Sequence, residues 1–291
     1  MTTTPNSSTP DRERYRLLDH GDGRRLESFG GIILDRPAPQ AVGPQLTPDL
    51  WPEAFARFTR DETGGSWKRF HHIEEPWLVT VDDIRFELAL SPQGQVGIFP
   101  EQLANWRWLR DVIAMADREL TLINAFGYTG GSTLAMLAAL TPHPLSLCHL
   151  DGAKSAVATA RRNTALNGRP DAPVRWIVDD VMTFLRREVK RNRRYDGIVL
   201  DPPAFGRGPD GKRWKLADDL PDLLKTAQEL LSERPLFLLF SCHDSALKAA
   251  DIRSELKRTF GAVRSLESLS LHIPGESGAA LPAGLTMRIL F

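Results

Sequence analysis

One stretch, residues 120–151, constrains this chain more than any other: LTLINAFGYTGGSTLAMLAALTPHPLSLCHLD. The apolar run Leu120 to Phe126 is short enough for a buried strand. The turn Gly127-Tyr128-Thr129-Gly130-Gly131 follows, and Ser132-Thr133 lead into Leu134 to Leu140, a run of strong helix formers. A second apolar run, Leu145 to Leu150, ends on Asp151. Strand, glycine turn, helix and strand tipped by a carboxylate make a βαβ unit. Such a unit builds a cleft for a nucleotide-like ligand at the carboxyl edge of a parallel sheet. There the glycines let the backbone approach the ligand, the helix start offers N–H groups, and Asp151 accepts from ribose hydroxyls. The spacing is not a clean G-x-G-x-x-G, and no Lys follows as a P-loop requires. Alone, the stretch also fits an ordinary crossover with a glycine-rich turn.

A second stretch, Tyr195 to Gly208, reads YDGIVLDPPAFGRG. A buried strand, Gly197 to Leu200, delivers Asp201-Pro202-Pro203 and the aromatic Phe205 to the same sheet edge. Two prolines cannot continue a ladder, so they force a stiff exit loop. An acid, a rigid loop and an aromatic beside a nucleoside pocket suit a planar base held against a methyl donor.

Five segments in order, NAFGYTGG, LDGAKSAVATARRNTALNG, VDDVMTFL, DPPAFGRG and FSCHD, resemble the class I S-adenosyl-L-methionine (SAM) methyltransferases. Within that class they most resemble the ribosomal-RNA large-subunit methyltransferases, which carry a small β domain before the catalytic domain. The resemblance covers Phe99 to Phe291 well and the N-terminal third more loosely. It implies an α/β fold: a doubly wound, mainly parallel seven-stranded sheet (Rossmann-like), with a small N-terminal β-rich domain. It also implies SAM as cofactor and RNA, ribosomal above all, as the partner, with no DNA. A homodimer is left open.

The rest of the chain is consistent with those expectations. A length of 291 residues suits one large domain plus a small one. Composition is ordinary for a globular protein at 42% apolar and 25% charged. No apolar run reaches membrane-spanning length, and residues 1–10, rich in Thr, Ser and Pro, read as a floppy tail rather than a signal peptide. Two cysteines, Cys148 and Cys242, make neither a disulfide framework nor a metal site. A cytoplasmic location is the expectation. Zero net charge argues against bulk electrostatic capture of nucleic acid, so an RNA would be held by a local patch.

Residues 11–98 read as the β-rich accessory domain, and 99–291 as the methyltransferase domain. Leu26 to Leu34 and Trp77 to Leu90 show partial alternation, with Asp82-Asp83 as a hairpin turn. Trp51, Trp67, Trp77, Arg69, His71 and His72 are candidates for stacking on RNA; the alternative is that the aromatics fill a small core. A helix opens near Pro100 and runs through Ala116. The resemblance makes Phe99 and Gln102 candidate cofactor contacts, although Phe99 alone reads equally as a buried helix-entry residue.

The strand Val174 to Val178 delivers Asp179-Asp180. The resemblance assigns Asp180 to the adenine amino group, while Asp is equally at home there as a helix N-cap. The basic run from Arg186 to Arg194 leads into the amino end of a strand, so it reads as a solvated helix end. Arg207, Lys212, Arg213 and Lys215, in a loop that looks mobile, are better placed for phosphate.

Asn124, Gly127, Thr129, Gly130, Asp151 and Asp180 thus form the expected cofactor set. Asp201 stands between cofactor and acceptor, with Phe205 and Cys242 at the chemistry. Carbon 5 of cytosine needs a thiolate added at carbon 6, and Cys242 in FSCHD matches the family's cysteine motif. His243 or a helix start is expected to lower its pKa. A strand-end Cys is also often just a small buried hydrophobe, and Pro203 stands where two-cysteine RNA methyltransferases carry a second Cys. The reading is a methyltransferase acting on a base of ribosomal RNA, as 5-methylcytosine or at a purine nitrogen. The competing readings are a protein or small-molecule methyltransferase, a nicotinamide oxidoreductase, and a non-catalytic RNA-binding module.

Overall fold

The computed structural model describes residues 13–61, 64–207 and 213–291; the expected tail at 1–10 lies outside them. The chain divides into two compact units. One runs up to Leu103 and takes in His272–Pro282; the other comprises Ala104–Leu271 and Ala283–Phe291.

The first unit holds β1 (Tyr15–Gly21), β2 (Arg24–Phe29), β3 (Ile32–Pro37), β4 (Ala56–Thr59) and β5 (Ser66–Arg69), hydrogen-bonded in that order. The partly alternating stretch Leu26 to Leu34 falls in two strands, because Gly30 and Gly31 both take positive φ and close a β2–β3 hairpin. A separate hairpin pairs β6 (Trp77–Val81) with β7 (Ile84–Leu88), turning at Asp82-Asp83 as expected. The buried Glu27 carboxylate is neutralised by Arg36 at 2.6 Å and accepts from the Tyr15 hydroxyl at 3.0 Å, as a buried charge requires. Trp51 and Trp77 are buried, donating to Asp19 and the Phe29 carbonyl. These two rings fill the core, whereas Arg69, His71 and His72 are exposed.

The second unit is a mixed seven-stranded sheet with helices on both faces. Its elements are α1 (Leu103–Ala114), β8 (Leu120–Ala125), α2 (Gly131–Leu137), β9 (Leu145–Asp151), α3 (Lys154–Leu166), β10 (Val174–Val178), α4 (Val181–Lys190) and β11 (Gly197–Leu200). A small ribbon, β12 (Phe205–Arg207) and β13 (Arg213–Lys215), precedes α5 (Leu216–Leu230), β14 (Phe237–Cys242), α6 (Ala249–Phe260), β15 (Ser265–Pro274) and β16 (Ala280–Leu290). Strand order is β10-β9-β8-β11-β14-β16-β15. The first five run parallel, and β16 pairs antiparallel with β14. This is the doubly wound, mainly parallel sheet expected from the sequence.

Alternation along β8 splits the core. Ile123 and Ala125 join Leu185, Leu224 and Phe240 beneath α4, α5 and α6, while Leu122 joins Leu109, Ile113 and Met136 beneath α1 and α2. Each fully buried Leu or Ile contributes roughly 1.5–3 kcal/mol. Strand order reverses between β8 and β11, and at that point the carboxyl ends diverge into a crevice. His272–Pro282, the end of β15 and the start of β16, fall with the first unit. No helix among the described residues is long and apolar enough to cross a membrane.

Candidate active site

The glycine turn leaves β8 through backbone that its sequence does not advertise. Phe126 and Tyr128 take positive φ, at 60° and 48°, whereas Gly127 between them does not. Left-handed backbone costs a non-glycine residue roughly 1–2 kcal/mol, so neighbouring contacts must hold the turn. Asp151 at the tip of β9 does so: its Oδ2 accepts from the Tyr128 N–H at 2.8 Å and its Oδ1 from the Ala153 N–H at 2.8 Å. From α3, Asn163 Nδ2 donates to the Thr129 carbonyl at 3.0 Å.

Gly127 is required by space rather than by φ. A Cβ there would stand 2.5 Å from His149 Cε1 and 3.1 Å from Asn124 Nδ2. At Gly131 it would meet the Trp106 ring at 2.4 Å. The expectation that glycine serves backbone approach to a ligand therefore acquires a second cause: these two positions are small because protein side chains fill the room behind them.

Behind the turn lies a polar trio that the sequence did not announce. Asn124 Nδ2 donates to Thr133 Oγ1 at 2.9 Å, and the same oxygen meets His149 Nδ1 at 2.9 Å. All three residues are buried. Burial pushes His149 down to about 4, with a backbone hydrogen bond at Tyr128 offsetting part of the shift, so the ring is neutral at physiological pH. Asn124, expected at the cofactor, directs its amide into this trio. The one available signal was a His in an otherwise apolar strand.

Asp180 is the N-cap of α4, its Oδ1 accepting from the Thr183 N–H at 2.8 Å. Its neighbour Asp179 pairs with Arg187. Of the two readings open for Asp180, capping is realised on one oxygen, and the other oxygen stays available. Val178, the last residue of β10 just before them, is 47% exposed. Burial raises the Asp151 carboxyl, and its two backbone donors lower it in part.

Across the crevice, β11 and β14 deliver the second group. Asp201 Oδ1 lies 3.2 Å from His243 Nε2, and His243 Nδ1 lies 2.8 Å from the Ala283 carbonyl. Phe205 is 66% exposed. Of the segment read from sequence as a mobile loop, the two described ends pair as β12 and β13, with Phe205 opposite Lys215, and residues 208–212 lie outside the described residues. Trp214 anchors the ribbon by donating to the Pro203 carbonyl at 2.7 Å and packing on Phe126 at 5.6 Å between centroids. Arg213 and Lys215 are exposed; Lys212 lies outside the described residues. In the basic run, Arg186 pairs with Asp222 and Arg191 with Glu188.

Cys242 is 1% exposed, its thiol 3.8 Å from the Asp244 carbonyl. The thiol's pKa moves in the direction opposite to the lowering expected from sequence. Burial raises the thiol, a backbone hydrogen bond at Asp244 opposes this, and the Asp244 and Asp201 carboxylates push it further up, while His243 turns to Asp201 instead. Cys148 is core, pushed up to about 11 by burial. Phe99 and Gln102 belong to the first unit, where Gln102 is buried and its N–H donates to the Phe99 carbonyl at 3.1 Å. No cluster of metal-ligand type occurs among the described residues.

A crevice at the switch point, an acid at the second strand tip and an Asp-Pro-Pro loop opposite define a nucleotide-cofactor α/β enzyme of the methyltransferase class. The chain belongs to the S-adenosylmethionine-dependent methyltransferase family, whose model matches residues 55–289, and SAM is that family's cofactor. It is similar to the ribosomal RNA large subunit methyltransferase I of Shewanella amazonensis, at 30% identity over 73% of this chain and 52% of that protein. The protein of the same name from Shewanella denitrificans is 28% identical over 61% of this chain and 42% of its own length. The chain thus spans about half the length of the curated relatives it matches. Among solved structures, a SAM-dependent methyltransferase from Agrobacterium tumefaciens is 34% identical, covers 95% of this chain and 90% of its own, and superposes with a TM-score of 0.87. A Streptococcus mutans protein at 17% identity and TM-score 0.75 shares the fold.

Proposed function

We propose that this chain transfers a methyl group from SAM to a base of ribosomal RNA. The observation that carries the reading is the meeting, at adjacent strand ends, of Asp201 and His243 beside Cys242, with Phe205 exposed on the same exit loop. Bound SAM supplies an electrophilic methyl on a sulfonium; the protein's task is to orient donor and acceptor and exclude water.

The residues suit such a donor. Each Asp151 oxygen accepts only one backbone N–H, so lone pairs remain for the ribose hydroxyls. Asp180 Oδ2 is available to the adenine amino group, and the Val178 side chain to the adenine face. On the acceptor side, Phe205 offers a stacking surface for the base. On the ribbon Arg213 supplies local positive charge that net neutrality otherwise denies, whereas Lys215 is paired with Asp218 at 3.1 Å. Residues 11–98 act in this reading as an accessory domain, contributing RNA contacts through the exposed Arg69, His71 and His72.

Two acceptors compete. Cys242 in its FSCHD setting favours carbon 5 of cytosine through a thiol adduct. The raised thiol favours a purine nitrogen, which needs none. Labelled SAM offered with protein-free ribosomal RNA, ribosomal subunits and soluble cell protein tests the reading: it expects RNase-sensitive label. Label in protein alone would overturn it. Nucleoside analysis of Cys242→Ala then separates the acceptors, since activity vanishes for 5-methylcytosine and survives for a purine nitrogen.

A further inference from the structure

The first unit carries a cleft of its own, of about 440 Å³, within the roughly 300–1,000 Å³ usual for ligand sites. Its walls are tied together by main-chain hydrogen bonds. The Phe55 N–H donates to the Ile33 carbonyl at 2.7 Å, and the Phe55 carbonyl accepts from the N–H groups of Phe70 at 2.8 Å and His71 at 3.2 Å. The segment that brings Glu13 is clasped on both sides: the Gly30 N–H donates to the Arg14 carbonyl at 3.1 Å, and Arg14 bridges to Thr80 of β6. Trp77 is 5% exposed, and its ring N–H donates to the Phe29 carbonyl at 2.8 Å. The cleft is therefore held open by the fold rather than by an occupant.

The lining combines flat rings with carboxylates: Phe55, His72 and Trp77 supply the rings, and Glu13 and Glu74 the acids. The chain reaches it along β5, the edge strand of the five-stranded sheet. Lys68 and Arg69 are exposed there. Phe70 is 45% exposed with Lys68 Nζ 5.2 Å from its ring centroid, His71 packs on Phe55 at 5.1 Å, and His72 lines the cleft. Cations, an open ring and a ring-lined cleft thus follow one another within five residues. That sequence suits single-stranded RNA, whose phosphates meet cations while its bases stack on rings and bond along their Watson–Crick edges. The acids then choose the base. An ionised carboxylate only accepts. Guanine presents two donors side by side on that edge, its ring N1–H and its amino group, and one carboxylate takes both. Adenine and cytosine set a lone pair beside their amino group, and uracil flanks its one N–H with carbonyls.

We propose that this cleft binds an unpaired guanine of the RNA substrate, stacked on its rings and held along the Watson–Crick edge by the Glu13 and Glu74 acids, with Lys68 and Arg69 on the flanking phosphates. The inference deepens the reading of this chain as an enzyme acting on RNA and rests on it. The guanine is a recognition base, distinct from the base that accepts methyl at Asp201. The cleft performs no chemistry; it makes the choice of RNA depend on a base that the reaction leaves unaltered.

The test uses the full chain and fluorescent single-stranded oligouridine RNAs carrying guanine, adenine, cytosine or uracil at one central position, read by anisotropy without SAM. The guanine strand is expected to bind about tenfold tighter than the others, or better. Glu13 and Glu74 are both exposed, so Glu13→Gln/Glu74→Gln keeps the fold, checked by its urea midpoint. In that variant the guanine preference disappears while affinity for the all-uridine strand stays within about threefold of wild type. Arg69→Ala weakens all strands alike and lessens the salt slope by roughly 0.7. A wild type without base preference, or a preference untouched in the double variant, overturns the proposal. So does free guanosine monophosphate that binds as tightly as the guanine strand, which would make the cleft a nucleotide site. Methyl transfer is measured in parallel. Guanine-selective binding without RNA methylation would support the cleft and count against the catalytic reading, whereas RNA methylation without base selectivity in binding would strike the cleft alone.

Discussion

Asn124 and His149 stand side by side on β8 and β9, and both bond a single hydroxyl, that of Thr133 on α2. The hydroxyl ties two strands and a helix together directly behind the glycine turn. Thr133→Val preserves shape but leaves a buried amide and a buried ring nitrogen without their partner. The expected loss is about 2–3 kcal/mol, read as a lower urea midpoint with unchanged slope, whereas Thr133→Ser stays close to wild type. An unmoved midpoint in the valine variant would remove the trio from the account of the turn.

The same trio sets an acid limit. His149 titrates near 4 when folded, against an ordinary 6.5. Between those values the unfolded chain binds a proton that the folded chain refuses. Stability is therefore independent of this group above about pH 6.5 and falls as pH drops toward 4, by on the order of 3 kcal/mol at completion. His149→Gln removes the titrating ring, and its unfolding free energy should lose less between pH 6.5 and pH 4 than that of wild type. Equal slopes would show that some other group governs acid unfolding.

What could be read from the sequence followed how locally each feature is encoded. Leu120 to Asp151 carries its strand, turn, helix and acid in consecutive residues, and β8, α2 and β9 lie there. The Asp82-Asp83 hairpin is likewise local. The trio and the His243 cradle are not, because each joins side chains from separate elements: Thr133 with β8 and β9, His243 with β11 and β16. The pairing of β12 with β13 is not local either, because the contacts that hold Trp214 are tertiary, to Phe126 and to the Pro203 carbonyl.

Gly127 and Gly168 make a controlled pair. Alanine at Gly127 drives a Cβ to 2.5 Å from the buried His149 ring, which cannot retreat without breaking its bond to Thr133. Gly168 follows α3 at φ +73° with nothing near its Cβ position, so alanine there costs only the left-handed backbone, roughly 1–2 kcal/mol. Isothermal titration with SAM should show at least a tenfold loss for Gly127→Ala and near-wild-type affinity for Gly168→Ala. Equal affinities would mean the turn shifts freely.

Capping and cofactor contact at Asp180 can be separated by chemistry. Asp180→Ala removes both and should cost about 1 kcal/mol of stability together with SAM affinity. Asp180→Ser keeps a cap for the Thr183 N–H but has no second oxygen to reach an adenine amino group. Stability is then expected to recover while affinity does not. Recovery of both would confine Asp180 to capping.

Phe205 is the residue whose loss should be felt only by the acceptor. With 66% of its surface exposed it adds little to folding, and Phe205→Ala is expected to leave the urea midpoint within about 0.5 kcal/mol of wild type. Stacking of a base on an aromatic ring is worth roughly 1–3 kcal/mol. That range corresponds to a five- to hundredfold rise in KM for RNA or fall in kcat/KM, with SAM affinity unchanged. Phe205→Trp retains a stacking face and should remain near wild type, whereas Phe205→Leu, equally apolar, should not. If leucine and tryptophan behave alike, the ring serves burial rather than stacking, and the acceptor is held elsewhere on the ribbon.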